Sequence, residues 1–127
     1  MTSCVAVGVT RGPGRPQQFS EHYDGTRWVL DSVSIPTDAD PNTAASVSCR
    51  TANDCWATFD GYAAVPHPNL LHWDGAHWTA SSAATPPKGF LGGALNDVAC
   101  VSAGQCMTVG YDLNPEAAGP PVALVYR

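Results

Sequence analysis

Three cysteines set the frame of this 127-residue chain: Cys4, Cys55 and Cys106 fall at steps of 51 residues. Other residues return at the same period. Trp28 and Trp78 are 50 apart, Tyr23-Asp24-Gly25 returns as Trp73-Asp74-Gly75, and Val47-Ser48-Cys49 returns as Val98-Ala99-Cys100. A repeat of this length means one supersecondary unit stacked against copies of itself, since a single unit cannot bury its own apolar face.

The complete unit carries four strand signals. Strand A is expected at Ala45 to Cys49, B at Cys55 to Tyr62, C at Asn69 to Trp73 and D at His77 to Ser81. Asp74-Gly75 supplies the turn between C and D, and Arg50 to Asp54 joins A to B. The flanking copies are partial. Residues 1–35 hold strands B, C and D, residues 36–86 hold all four, and residues 87–127 hold A, B and C. Four short strands per roughly 50 residues predict an all-β chain of about two and a half four-stranded antiparallel β-propeller blades. A Greek-key sandwich or another β-solenoid is the alternative. Open edges at both ends further predict either a fragment of a longer protein, whose remaining blades complete it, or sister subunits that share edges.

Composition supports short strands and narrows function. Gly and Pro together occupy 23 positions, which disfavours long helices. Six basic residues against eleven acidic ones give a net charge of −5, opposite to the basic footprint of a nucleic-acid binder. No apolar run approaches the roughly 20 residues that cross a bilayer as a helix.

The five cysteines divide by the repeat. Cys49 with Cys55 and Cys100 with Cys106 each span an A–B hairpin and predict two disulfides, hence an oxidising compartment outside the cytosol. Their spacing suits a zinc site less well. Cys4 matches the second cysteine of a pair whose first member would precede residue 1, so it is expected to stand outside both bridges.

Trp28 and Trp78 follow the turn by three residues and are expected to pack between neighbouring units; a sugar-stacking platform is the functional alternative. Asp24 and Asp74, with Gly25 and Gly75, are expected to build the turn by accepting hydrogen bonds from its amides. His22 and His72 occupy equivalent strand-C positions, with Arg127 in the third copy. Alternation along the strand predicts a solvent-facing or rim location, open to ligand. His67 and His77 have no counterparts and are expected on loop or surface. Asp38, Asp40 and Asn42 form a D-x-D-x-N string, but the glycine and distal glutamate of a calcium loop are missing, so a solvated loop is expected. No metal, cofactor or catalytic constellation is predicted: Glu21 and Glu116 are the only glutamates and fall at unrelated repeat positions.

Cys-Val-Ala-Val-Gly at residues 4–8, Cys-Met-Thr-Val-Gly at 106–110, Leu-His-Trp-Asp-Gly at 71–75 and Trp78 carry a family likeness. Together they resemble a Cys-pair blade repeat of secreted actinobacterial proteins, approximately V-S-C-x5-C-x-A-V-G followed by L-x-x-W-D/N-G-x-x-W. The pattern is also similar to kelch repeats, although Gly8 and Gly110 stand single where kelch has a glycine pair. The resemblance spans essentially the whole chain and implies a secreted propeller with a binding role. The expected function is therefore a non-enzymatic extracellular binding or scaffold module for a protein or glycan ligand. A lectin with sugar sites formed by the repeated Trp and Asp is the second reading, and a propeller hydrolase the third.

Overall fold

The computed structural model describes residues 3–14, 16–33, 40–62, 67–81, 93–102, 105–112 and 121–126. They form ten strands and no helix: β1 (Cys4–Thr10), β2 (Gln17–Tyr23), β3 (Trp28–Asp31), β4 (Asp40–Thr51), β5 (Asp54–Tyr62), β6 (His67–Trp73), β7 (Trp78–Ala80), β8 (Gly93–Ser102), β9 (Gln105–Asp112) and β10 (Pro121–Tyr126). Every pairing is antiparallel between sequence neighbours. Three separate sheets result: β1-β2-β3, a central β4-β5-β6-β7, and β8-β9-β10.

Strand A of the central sheet is longer than expected. It begins at Asp40 rather than Ala45, so Asp40 and Asn42 lie in β4 and not in a loop. Three register shifts, between Pro41 and Thr43, Ala44 and Ser46, and Cys49 and Thr51, let this long strand bend while still pairing with β5. The last two recur 51 residues on, between Leu95 and Asp97 and between Cys100 and Ser102. The repeat therefore extends to backbone irregularities that residue identity does not encode. Asp38 and Arg127 lie outside the described residues. His67 falls at the start of β6.

The period-2 alternation of strands explains how the sheets stack. On the central sheet Cys55, Ala57, Phe59, Leu71, Trp73 and Trp78 share one face and are buried together. Val5 and Val7 of β1 pack onto that cluster, joined by Val47 and Val33. The opposite face, with Leu70 and Trp56, packs on Leu95, Val98, Cys100 and Cys106 of the third sheet. The central sheet is thus apolar on both faces and covered on both. Contacts between neighbouring sheets concentrate on β1, β4 and β8. Two side-chain bonds stitch the last two: Ser46 Oγ donates to the Asp97 carboxylate, and Cys100 N donates to Ser48 Oγ at 3.0 Å.

Both disulfides form, with Cα–Cα distances of 4.0 Å for Cys49–Cys55 and 4.1 Å for Cys100–Cys106. Each joins residues directly opposite one another in the ladder, where strands approach closely. Cys4 takes part in neither bridge.

Candidate binding site

The C–D turn repeats in atomic detail. Asp24 Oδ1 accepts from Thr26 N at 2.8 Å and Arg27 N at 2.9 Å, while Asp74 Oδ1 accepts from Ala76 N at 2.8 Å and His77 N at 2.7 Å. Those backbone donors hold both carboxyls below the usual carboxylate range, Arg27 N foremost for Asp24 and His77 N for Asp74. Gly25 and Gly75 take φ of 100° and 98°, which side-chain-bearing residues resist. The turn thus spans four residues between Tyr23 and Trp28 and between Trp73 and Trp78. One consequence is that β7 begins at Trp78, not at His77.

The aromatic pairs beyond the turn are locally alike: Tyr23–Trp28 centroids are 5.7 Å apart and Trp73–Trp78 centroids 5.5 Å apart. Their burial differs. Trp78 is 5% exposed and sits in the core, so it offers no open face to a ligand, whereas Trp28 is 49% exposed. The difference comes from the neighbouring sheet: β1 covers the Trp78 face, and among the described residues nothing covers that of Trp28.

The two histidines are partly exposed, His22 to 31% and His72 to 34%, and each also faces a neighbouring sheet. His22 faces the central sheet, its ring 5.6 Å from that of Trp73, with Nδ1 2.7 Å from Asp31 Oδ1. His72 lies on the opposite side of the stack, facing the third sheet, its ring 4.6 Å from Trp56 and its Nε2 3.1 Å from Asp54 Oδ1. Strand alternation puts them on the opposite side of the strand from Tyr23 and Trp73. It did not show that a second sheet lies over each side. Burial pushes the His72 imidazole down from its usual value, and its Nε2–H donates to the Asp54 carboxylate.

Asp54 also pairs with the Arg50 guanidinium, so Arg50, Asp54, His72 and Trp56 form one connected group at the A–B turn of the central sheet. Trp73 Nε1 donates to Ala52 O at 3.1 Å and pins the same turn. Arg50 Nε is buried without a hydrogen-bond partner among the described residues. Beside it a cleft of about 400 Å³ opens between the first and central sheets, lined by Cys4, Val5, Val47, Cys49, Arg50 and Thr51 among others. Of this group Arg50 lines the cleft, its guanidinium held by Asp54, while Trp56 and His72 stack on each other on the side of the central sheet that faces the third sheet.

Arg50, Asp54 and Trp56 were not singled out by motif. The signal was available: at the matching positions of the third copy stand Val101, Gln105 and Met107. Departure from the repeat marks all three, although Trp56 also serves the stacking, since it packs against the third sheet. Among the described residues no group of three or more His, Cys, Asp or Glu side chains is placed to hold a metal ion.

The architecture defines an all-β protein of stacked antiparallel sheets with disulfide-closed hairpins. Compared with known proteins, it is similar in fold to a fucose lectin from Kordia zhangzhouensis, solved in complex with methyl-fucoside. The TM-score is 0.54 at 14% identity, over 95% of this chain and 82% of that one. No family model and no curated protein matches the sequence.

Proposed function

We propose that the chain is a set of β-propeller blades acting as a non-enzymatic extracellular binding module. The observation that carries this reading is the Ser46–Asp97 hydrogen bond. These residues are 51 apart and occupy the same position in successive repeats. Equivalent positions meet when successive units follow one another about a shared axis, and the concentration of inter-sheet contact on β1, β4 and β8 supports an axis beside these strands, as in a propeller. The two disulfides support secretion, because such bonds persist in oxidising compartments. The Cys-pair blade repeats of secreted proteins, which this sequence resembles, point the same way.

The ligand reading with a specific observation behind it is carbohydrate. The structural likeness is to a fucose lectin, and the cleft between the first and central sheets is lined by Arg50 with Ser3 and Thr51, a cation and hydroxyls that suit the hydrogen-bonding groups of a sugar. Titration with methyl-fucoside and a monosaccharide panel, followed by tryptophan fluorescence and calorimetry, is the test. Saturable binding at millimolar sugar that is lost in Arg50→Met supports the reading. Silence across that panel and a glycan array sinks it, and turnover of any sugar sinks the non-enzymatic assignment.

A further inference from the structure

The outer faces of the first and third sheets are the two halves of an interface the chain already builds inside itself. On the first sheet, Tyr23, Trp28 and Leu30 point away from the central sheet. Their repeat equivalents are Trp73, Trp78 and Ala80, on the central-sheet face that receives Val5 and Val7. Trp28 is 49% and Leu30 68% exposed, where Trp73 is 2% and Trp78 5% exposed.

On the third sheet, Cys106 and Thr108 face the central sheet and are buried, so Met107, Val109 and Tyr111 point outward, 50%, 45% and 39% exposed. Their equivalents in the first copy are Val5, Val7 and Val9, and in the central copy Met107 and Val109 correspond to Trp56 and Thr58. That is the face which docks onto the following sheet, and Thr58 there is fully buried. One end of the molecule therefore carries the receiving face and the other the docking face. Clusters of large exposed apolar side chains of this kind mark interaction surfaces.

We propose that a second copy of this chain covers each end, the third sheet of one copy packing on the first sheet of the next, face to face and head to tail. A second copy brings both complementary faces, in the relative orientation repeated within the chain. The contact is heterologous, and such contacts close into a ring when the rotation per copy divides a full turn. This inference rests on the blade reading. It needs no pairing of strand edges, so the strand counts of the two outer sheets do not obstruct it.

The test is light scattering on the purified chain at micromolar concentration, with Trp28→Glu and Val109→Glu as single-face variants. The wild type is expected at twice 13.3 kDa or more, and each variant at reduced mass with an unchanged far-UV circular dichroism spectrum. Mixing the two variants is expected to yield mixed dimers, because each retains the face the other lacks. A monomeric wild type overturns the proposal, as does a variant mixture that stays monomeric, which would signify like-face pairing or none. Should a glutamate variant unfold, hydrogen exchange of β3 and β9 in the wild type on dilution decides instead: protection that falls with concentration supports assembly, and protection independent of it refutes assembly. A Ser46→Cys, Asp97→Cys double variant keeps the two readings apart. An intrachain bridge in a chain that stays monomeric removes the assembly alone, whereas failure to bridge removes the blade stacking beneath it.

Discussion

Single residues in the C–D turns carry tightly defined roles. At Gly75 a Cβ would meet the Asn53 side chain at 2.6 Å, and φ of 98° disfavours any side chain. Gly75→Ala is expected to cost roughly 1 to 2 kcal/mol, read from urea midpoints. Asp24 and Asp74 give a pH signature. Their carboxyls titrate lower in the folded chain than the ordinary 3.8, so their contribution is present above that value and is lost as pH falls through the folded pKa. A double Asp24→Asn, Asp74→Asn variant is therefore expected to lose less stability than the wild type between pH 5 and pH 2, compared by denaturant midpoints across that range. The turn was legible in the sequence because Asp-Gly encodes its conformation locally. The His72 contacts were not, since Trp56 and Asp54 reach it only through strand pairing.

At the scale of elements, each A–B hairpin is closed by a disulfide where the strands are closest. Removing Cys100–Cys106 by a double Cys→Ser change is expected to cost about 2 kcal/mol by loop entropy for so short a loop, seen as a lower urea midpoint under oxidising conditions that vanishes under reduction. Thr58 and Thr108 are buried side chains of the facing sheets whose hydroxyls have no hydrogen-bond partner among the described residues. Thr58→Val keeps the shape and removes that penalty, so a gain of about 1 kcal/mol in unfolding free energy is expected. The order and approximate span of the strands follow from the cysteine and Asp-Gly landmarks. The extension of β4 back to Asp40 does not, because it depends on bulges that let one strand stay paired while curving.

Across the whole molecule, stacking of like sheets makes equivalent residues inequivalent in energy. Trp78→Ala is expected to cost about 3 to 5 kcal/mol through the cavity left in a packed core, whereas Trp28→Ala in the separated chain is expected to cost far less, since half of that side chain is already in water. Parallel thermal melts of the two variants at low concentration make the comparison direct. Both tryptophans occupy the same repeat position, so no pattern within one repeat separates them. Position in the stack does.

The order of elements, the antiparallel hairpins, the disulfide pairs and the turn chemistry were determined by the sequence itself, because each depends on residues within a single repeat and on its period. Tertiary structure alone decided which of two identical positions becomes core and that His22 and His72, partly exposed, each face a neighbouring sheet. Those outcomes depend on which face of each sheet a neighbour covers, and local sequence carries no term for contacts made a full repeat away.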